Sequence, residues 1–548
     1  MHDSALPPIQ HLLMQPGSSR LDQALSLLEA LDDQELWRFL ATGVSFSERG
    51  VITLAHSAPC LRFHRTHQQI VGLYAARHAG LLDPVSCLRF GHATGPRDLR
   101  VLADLPKLEH LSLGGCARLH DLSDLACLPA LHTLELVRFR EGRSLSQHKK
   151  SLSLHSLPAL VSLTLRDCRQ LEVVELSGMP TLQTVTMSDE TEPETVCLSD
   201  LPALVELSLR RPPRVLRLTG VPALASLGVC TLPTDDPLPG AFTGLRALRL
   251  KGSHNLVTLA PLVQLPALRS LEVQDGFVLP DLEPLAQLSS LEELTIHALF
   301  QLQDLSPLSA LSQLTRLDLE GGTLLSDLAP LAGLTQLREL SLRGMSAVDL
   351  SPLSALSQLT RLDLSTNPQL TELHALAGLK ALRSLRLSLG MDPSTLPGLS
   401  ALVSLTHLNL SLSEQLQNLS GLAALSSLTH LNLSLSEQPL TSLQGLEHLK
   451  RLTTLDLSWN IGLCDLRPLA QLKALTRLRL SGCKDVVDLA PLAGLSQLED
   501  LQLDKCSGVR DLRPLAGLTR LRRLDLSGCS QPLDRSPLDG LTQLQVSG

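Results

Sequence analysis

Residues 309–337 read SALSQLTRLDLEGGTLLSDLAPLAGLTQL, and this stretch decides the fold. Its first half alternates apolar and polar residues, with Leu317 and Leu319 on one face of the chain. Arg316, Asp318 and Glu320 lie on the other face. A period of two is typical of a β-strand that buries one face. The stretch therefore predicts a short strand whose leucines point into a core.

The second half of the stretch, SDLAPLAGLTQL, predicts a turn, because Pro330 and Gly333 would interrupt a strand ladder. We predict a short 3₁₀ segment here. It would return four leucines to the core: Leu328, Leu331, Leu334 and Leu337. Asp327 is predicted to cap the turn with its carboxylate. The same role is predicted for the equivalent aspartates Asp281, Asp304, Asp349, Asp465, Asp488 and Asp511.

The same pattern recurs about every 23 residues, so the chain is an array of repeats. The middle leucine of each LxxLxL phrase is taken as the anchor of one strand. The regular anchors are Leu271, Leu294, Leu317, Leu340, Leu362, Leu385, Leu408, Leu431, Leu455, Leu478, Leu501 and Leu524. The more loosely spaced anchors upstream are Leu88, Leu111, Leu134, Leu163, Val185, Leu207, Leu227 and Leu248. The sequence thus predicts 20 strands, 8 upstream and 12 in the regular part.

The repeated phrase resembles the leucine-rich-repeat family, and its DLxPLxxL half resembles the short internalin-type bacterial repeats. The resemblance extends from about Val85 to the end of the sequence. It implies an α/β solenoid, a curved array with a concave parallel β-sheet and a convex side of short 3₁₀ segments and turns.

In this family the fifth residue after the anchor is usually an asparagine in a buried ladder. Asn367 and Asn460 keep that residue. Cysteine replaces it at Cys116, Cys168, Cys483, Cys506 and Cys529, and smaller residues replace it at Gly322, Gly390, Ser413 and Ser436. We expect looser backbone hydrogen bonding at the replaced positions.

Three domains are predicted. Residues 1–84 lack the repeat, and apolar residues at near-helical spacing predict a small helical N-terminal domain that caps the array. Irregular repeats follow at 85–247, and regular 23-residue repeats at 248–548. The final segment, SPLDGLTQLQV, is interpreted as a half repeat without a strand, serving as a lid. Self-association through an exposed edge is the alternative, and a monomer is favoured.

Composition restricts the possible partners. Of the 548 residues, 43% are hydrophobic but only 2% aromatic, which suits stacked aliphatic repeats. The formal net charge is −8, and no long basic run is present, so nucleic acid is an unfavourable partner. The sequence predicts no membrane span and no secretory signal. The eleven cysteines are therefore expected to be reduced in the cytoplasm, with a secreted effector lacking a cleavable signal as the alternative.

Catalytic motifs are absent from the sequence. It contains no HExxH, P-loop, Rossmann glycine pattern or GxSxG elbow, so we expect no enzyme, no cofactor and no metal. Cys483, Cys506 and Cys529 recur 23 residues apart in the phrase SGC. We interpret these thiols as packing in the asparagine-ladder position, with a soft-metal site as the alternative.

A polar window is predicted on the sheet. Residues just before successive anchors form a column across an in-register sheet, and opposite charges at both ends of this column should pair laterally. Between them lies a block expected not to satisfy itself by ion pairs. It contains Ser384, His407, His430 and Thr454 in one column, Arg386, Asn409, Asn432 and Asp456 in the next, and Trp459 beside them. We hypothesise that this window binds a partner; the alternative is that these side chains only solvate the sheet.

The resemblance and the missing catalytic motifs together predict non-catalytic protein–protein recognition by the concave face. One alternative is an adaptor or effector whose N-terminal domain recruits partner machinery, since LEALDDQELWRFL weakly resembles the start of an F-box. A ligase is disfavoured because the repeats run to the last residue. Polysaccharide recognition is disfavoured because aromatic residues are scarce.

Overall fold

The chain forms two compact units, residues 1–252 and 253–548, here called the N-terminal and C-terminal units. The computed structural model describes residues 23–24, 44–46, 52–54, 86–90, 99, 102, 105, 107–114, 122–138, 151–169, 171–188, 190–209, 213, 215–229, 244–250, 258–274, 279–346, 349–367, 370, 373–388, 398–413, 419–435, 440–529 and 533–548.

Most of the predicted helical domain at 1–84 lies outside the described residues. Within it, Gln23 and Ala24 are helical. Two short strands, β1 (Val44–Phe46) and β2 (Ile52–Leu54), pair in antiparallel fashion. This strand pair was not predicted, because three residues are too few to show a period.

The main sheet of the N-terminal unit is parallel and contains all eight predicted upstream anchors. Its strands, in order, are β3 (Cys87–Phe90), β4 (His110–Gly114), β5 (Thr133–Val137), β7 (Ser162–Arg166), β9 (Thr184–Ser188), β11 (Glu206–Leu209), β13 (Ser226–Val229) and β14 (Ala247–Leu250). The anchors pair with one another in register, as Leu111 does with Leu134.

A second parallel sheet in this unit corrects the expectation of a convex side made only of turns. Its strands, in order, are β6 (Ser151–His155), β8 (Val173–Ser177), β10 (Thr195–Ser199) and β12 (Val215–Thr219). The intervening segments SLSLH, VVELS, TVCLS and VLRLT contain no proline and alternate like strands. Leu152 and Leu154, for example, are buried while Ser151 and Ser153 are exposed. The absence of proline permits strand pairing, and the alternating apolar residues of these segments favour it over a 3₁₀ turn.

The C-terminal unit has one parallel sheet of thirteen described strands. They are β15 (Ser270–Val273), β16 (Glu293–Ile296), β17 (Arg316–Glu320), β18 (Glu339–Arg343), β19 (Arg361–Leu364), β20 (Ser384–Leu387), β21 (His407–Asn409), β22 (His430–Asn432), β23 (Thr454–Asp456), β24 (Arg477–Arg479), β25 (Asp500–Gln502), β26 (Arg523–Asp525) and β27 (Gln545–Ser547). The twelve predicted regular anchors lie in β15 to β26. The prediction that the last half repeat lacks a strand is wrong, because β27 pairs with β26 through Val546 and Leu524.

Short 3₁₀ segments connect the strands, as the DLxPLxxL phrase predicts. They span Ser123–Cys127, Ala260–Gln264, Glu283–Gln287, Ser306–Ala310, Ala329–Gly333, Ser351–Ala355, His374–Gly378, Ser420–Leu422, Leu446–His448, Arg467–Gln471, Ala490–Leu492, Arg513–Leu515 and Ser536–Leu538. The seven predicted aspartate caps are confirmed. In each, the carboxylate accepts the N–H two residues later, as Asp327 does from Ala329 at 2.8 Å.

The core consists of leucine columns that run through successive repeats. The four leucines predicted to return in one turn, Leu328, Leu331, Leu334 and Leu337, are all buried. Each fully buried leucine contributes about 1.5–3 kcal/mol. Since each repeat touches only its neighbours, this stabilisation is local.

The asparagine ladder is present where asparagine is kept. The Asn460 amide donates to the carbonyl oxygens of Leu433 (2.9 Å) and Leu457 (2.8 Å), and its Oδ1 accepts the Leu440 N–H at 3.2 Å. In the next repeat the Cys483 thiol donates to the Leu457 oxygen at 3.1 Å. Cysteine therefore keeps one of the asparagine's hydrogen bonds.

Looser backbone hydrogen bonding was expected where glycine replaces the ladder asparagine, but at Gly322 the space of the missing side chain is filled. A Cβ atom there would lie 2.5 Å from Leu325 Cδ1 and 2.6 Å from the Met345 sulfur. Apolar side chains from the same repeat and the next one therefore fill the position that asparagine would take.

Replacing Asn460 by alanine should lower the free energy of unfolding by about 1–3 kcal/mol, because the buried Leu433 carbonyl and the Leu440 N–H lose their side-chain partner, whereas the Leu457 carbonyl keeps the Cys483 thiol. Asn460→Cys should recover part of this loss, since Cys483 shows that a thiol reaches the preceding carbonyl. The check is the urea midpoint together with hydrogen exchange of the Leu440 amide. The exposed Gln444→Ala serves as the control. Equal losses for alanine and cysteine would contradict the role given to the thiol.

Candidate functional site

The predicted window forms two adjacent columns on the solvent-exposed face of the C-terminal sheet. Strands β20 to β23 pair in register, with His407 opposite both Ser384 and His430, and His430 opposite Thr454. The second column pairs Arg386 with Asn409, Asn409 with Asn432, and Asn432 with Asp456. The structure therefore brings together all eight sheet residues that the sequence singled out.

His407 and His430 stack at the centre of the window. Their ring centroids are 4.2 Å apart and their planes differ by 12°. Burial lowers the pKa of His430 below its ordinary value, and the neighbouring His407 and Arg477 lower it further. Two charged imidazoles at this separation would repel each other, so the stack disfavours charging both rings at once.

A row of threonine hydroxyls supports the histidines. The Thr406 hydroxyl donates to the Arg383 carbonyl at 3.0 Å, and the Thr429 hydroxyl to the Thr406 carbonyl at 2.9 Å. Each hydroxyl also lies 2.9 Å from Nδ1 of the following histidine. The row includes the equivalent residues Thr315, Thr360, Thr453 and Thr476. The sequence interpretation missed this row, although threonine recurs two residues before each of these anchors.

The asparagines of the window also close the ends of their strands. Oδ1 of Asn409 accepts the Ser411 N–H, and Oδ1 of Asn432 accepts the Ser434 N–H, both at 2.9 Å. Asp456 does the same with Ser458 at 3.0 Å. These side chains therefore have a local structural role, and the two asparagines keep their –NH₂ groups for other contacts.

Two members of the window do not fit the premise that it lacks ion pairs. Arg386 lies 3.7 Å from Asp363, and Asp456 lies 3.4 Å from Arg479. Lateral neighbours in an in-register sheet are close enough to pair, and each of these two has an opposite charge next to it. The uncharged centre of the window is thus smaller than predicted and consists of Ser384, His407, Asn409, His430, Asn432 and Thr454.

Trp459 lies at the strand end beside the window and has contacts within the chain. Its backbone is left-handed, with φ of 67°. A Cβ atom on Gly482 would lie 2.7 Å from its ring, and Lys505 Nζ lies 5.2 Å from the ring centroid. Trp459 therefore packs on the next repeat and remains 38% exposed.

Leu412 and Leu435 occupy the position of Trp459 in the two preceding repeats. Both are left-handed, with φ of 61° and 60°, and they are 55% and 46% exposed. Their N–H groups donate to the next repeat at 3.1 and 2.9 Å, so the register continues past the strands. We call Leu412, Leu435 and Trp459 the strand-end ridge. Sequence reasoning missed its two leucines, although other repeats have glycine there.

Solved structures with the same architecture identify the fold. TLR13, in a complex with ssRNA13, has a TM-score of 0.54 at 22% identity, with 83% of this chain and 80% of TLR13 covered. A leucine-rich-repeat protein of Leptospira interrogans has a TM-score of 0.50 at 21% identity, with 78% of this chain and 99% of that protein covered. The chain has the leucine-rich-repeat fold. The predicted resemblance is confirmed for the architecture.

A more partial likeness is to an internalin (inlF) of Listeria monocytogenes. It has a TM-score of 0.45 at 25% identity, with 53% of this chain and 83% of the internalin covered. No family model matches the sequence, and no curated protein matches it. Among the described residues, no helix has the length and apolar character needed to cross a membrane.

A charged pocket of about 390 Å³ lies on the same face of the leucine-rich-repeat sheet and shares Ser384 and Arg386 with the window. Its polar lining consists of Arg316, Asp318, Glu339, Ser341, Arg343, Arg361, Asp363, Ser384 and Arg386. Glu339 lies between two guanidinium groups, 2.5 Å from Arg361 and 3.6 Å from Arg316. Lateral pairing is therefore confirmed at this end of the column.

His297 and its neighbours form a half-buried cluster at one edge of this pocket. Nε2 of His297 lies 3.7 Å from Asp318, and its Nδ1 lies 3.8 Å from Glu320. The Asp318 carboxylate raises the pKa of His297, against the effect of burial. Within the described part of the chain, the buried side-chain atoms without a hydrogen bond are His297 Nε2, Asp318 Oδ1, Ser341 Oγ and Arg343 Nε. His297 therefore contacts the two carboxylates as an ion pair at longer range, whereas Arg343 donates a hydrogen bond to Glu320 at 2.8 Å.

The cysteine column packs as predicted. Cys483, Cys506 and Cys529 each lie within 3.3 Å of a backbone carbonyl of the preceding repeat. Burial raises the pKa of the Cys483 thiol to about 11 and that of Cys506 to about 12. In the described ranges, no group of three His, Cys, Asp or Glu residues is arranged to hold a metal ion.

His297→Gln should destabilise the protein most at acidic pH. Because the folded state raises the pKa of His297, its contribution is fully present below the unfolded pKa of about 6.5. The contribution is lost as pH rises through the higher folded value. Urea midpoints of the wild type and variant between about pH 5.5 and pH 8.5 should therefore converge at the alkaline end. A difference that stays constant, or one matched by the exposed His374→Gln, would argue against the ion pairs as its cause.

Alkylation should distinguish the cysteines of the folded protein. Iodoacetamide at about pH 8 should label the exposed Cys127 and Cys464 and spare Cys483 and Cys506, whose thiols are buried and neutral. Peptide mass spectrometry reads out the sites, and unfolding in urea should make all four react. Fast labelling of Cys506 in the folded protein would mean that the column opens.

Proposed function

We propose that the protein is a non-catalytic recognition module that binds a protein partner through the exposed face of its C-terminal sheet. The contact is centred on the window of Ser384, Arg386, His407, Asn409, His430, Asn432, Thr454, Asp456 and Trp459. The observation that carries this proposal is that a block of uncharged polar groups lies next to three large, exposed apolar side chains on consecutive repeats.

The strand-end ridge is costly for the isolated protein. A left-handed residue with a side chain costs about 1–2 kcal/mol, and Gly321, Gly344, Gly482 and Gly528 show that the position accepts glycine. Leu412 and Leu435 therefore take a strained backbone and also expose apolar surface. Burying an exposed leucine against a partner contributes up to about 1.5–3 kcal/mol to the free energy of binding, which is comparable to the contribution of an interface hot spot.

The polar window complements the ridge. Amide, imidazole and hydroxyl groups held on a sheet lose little conformational entropy when they bind. More of the free energy of their hydrogen bonds therefore contributes to affinity. An apolar anchor beside oriented polar groups is the usual composition of a protein interface. Rigid strands and an exposed ridge together favour a folded or extended polypeptide as the partner.

RNA is a weaker candidate for this face. TLR13 was solved with an RNA, but that interaction belongs to TLR13. This chain has a formal charge of −8, and the arginines beside the window, such as Arg386 and Arg479, are paired with carboxylates. Phosphate binding needs an excess of cationic groups.

Site-specific photo-crosslinking tests this proposal. A benzophenone amino acid at Leu435 in the full chain should give a covalent adduct with one protein in lysate of the source organism. The same group at Leu324, which is also exposed at 49%, should not give that adduct. Mass spectrometry identifies the adduct. Equal adducts at both positions would remove the window as the site.

Affinity measurements with the captured partner give the second readout. The pair Leu412→Ser and Leu435→Ser should weaken binding about tenfold or more, because two apolar contacts of hot-spot size are lost. His407→Ala with His430→Ala, and Trp459→Ala, should also weaken it, while Leu324→Ser should not. Unchanged affinity in the leucine pair, the histidine pair and the tryptophan variant would refute the proposal.

A further inference from the structure

We propose that His407 and His430 together accept hydrogen bonds from amide N–H groups of the partner protein, and that protonation of the pair releases the partner. This inference rests on the proposed function, since it specifies the partner chemistry and the regulation of the same window. The supporting contacts begin with the two threonines that directly precede the histidines in the sequence.

The tautomer of both rings is assigned from the threonines. A hydroxyl has one proton, and Thr406 donates it to the Arg383 carbonyl at 3.0 Å. We assign this proton by comparison with Thr453 and Thr476, which donate to the equivalent carbonyl although no histidine follows them. With this assignment, Nδ1 of His407, 2.9 Å from the Thr406 hydroxyl, is the donor. The same holds for Thr429, which donates to the Thr406 carbonyl at 2.9 Å and lies 2.9 Å from His430 Nδ1. In the neutral state both rings thus carry their proton on Nδ1 and leave Nε2 as an acceptor.

The stack makes the two acceptors act as a unit. Rings that are 4.2 Å apart and within 12° of parallel present their Nε2 lone pairs side by side. A proton on one ring converts its Nε2 into a donor and makes protonation of the other ring less favourable. Burial and the nearby Arg477 also disfavour the charged form of His430. When neither ring is protonated, the face therefore presents a pair of acceptors.

The asparagines add a row of donors beside these acceptors. Oδ1 of Asn409 and of Asn432 is held by the Ser411 and Ser434 N–H groups, so each asparagine presents its –NH₂ group. This row lies two residues further along the strands, about 6.6 Å away. A group that fits both rows must donate to the histidines and accept from the asparagines. Peptide groups and asparagine or glutamine side chains do both.

The charges around the pair disfavour other partners. Arg386 faces it from β20 and is paired with Asp363. On the other side, Asp456 in β23 is paired with Arg479, and Arg477 lies in β24. A lysine or arginine of the partner would meet Arg477 near His430, while the other two nearby guanidinium groups are already paired with carboxylates. A carboxylate would meet the lone pairs of neutral imidazoles. An uncharged amide avoids both costs.

The first test uses the full chain alone. In protein labelled with ¹⁵N-histidine, the signals lost in the variants His407→Gln and His430→Gln assign the pair. At about pH 8, Nδ1 should give the shift of a protonated ring nitrogen and Nε2 that of an unprotonated one. Thr406→Val with Thr429→Val should abolish this preference. A proton on Nε2 in the wild type would overturn the inference without any partner.

The second test measures the partner captured through Leu435 at several pH values. Binding should weaken about tenfold between about pH 8 and pH 5, because two acceptors become unavailable. His407→Gln with His430→Gln should bind with little pH dependence, since glutamine keeps an acceptor that does not titrate. The exposed His448→Gln should keep the wild-type profile.

The direction of the pH effect separates the outcomes. Binding that strengthens on acidification would mean an anionic partner and would overturn the inference while leaving the proposed function intact. Binding through the window without pH dependence would also overturn it. Failure to capture any partner at Leu435 at any pH would refute the proposed function and, with it, the inference.

Discussion

The rest of the structure depends on in-register parallel pairing of the anchor leucines. Each anchor lies opposite the next, and the leucine two residues later follows the same path into the core. A shift of one residue would turn every leucine to the solvent face, so the buried face strongly specifies the register. Every feature of the exposed face follows from this pairing, because residues at the same place in successive repeats become lateral neighbours.

Lateral neighbours of the same type can support or oppose one another, and this chain contains both cases. Threonine hydroxyls donate to the preceding repeat and build an unbroken row from Thr406 to Thr476. Arg316 and Arg361 carry like charges, and the Glu339 carboxylate between them pairs with both. The two histidines stack at 4.2 Å and disfavour a second charge. The identical phrases around Ser404 and Ser427 thus place matching groups next to each other in space.

The agreement between sequence and structure differs between the two units for a physical reason. In the repeats of the C-terminal unit that contain DLxPL, the proline disfavours strand pairing, so their 3₁₀ segments and aspartate caps could be predicted position by position. In the N-terminal unit, segments such as TVCLS lack that proline and pair into a second sheet. The alternation of apolar and polar residues in these segments is visible in the sequence. It was not interpreted as a second set of strands because the LxxLxL phrases were taken as the strands of each repeat. The columns of the window were predicted because period and register are properties of the repeat.

The sequence by itself determined the repeat, the buried leucines, the capping aspartates and the residues that share each column. These depend on local spacing, which the sequence shows directly. Only the tertiary structure decided what each side chain does within its column. Arg386 and Asp456 have opposite charges beside them, the asparagines close strand ends, and threonines orient the imidazoles. Those roles depend on rotamers and on distances across strands, and spacing along the chain does not specify either.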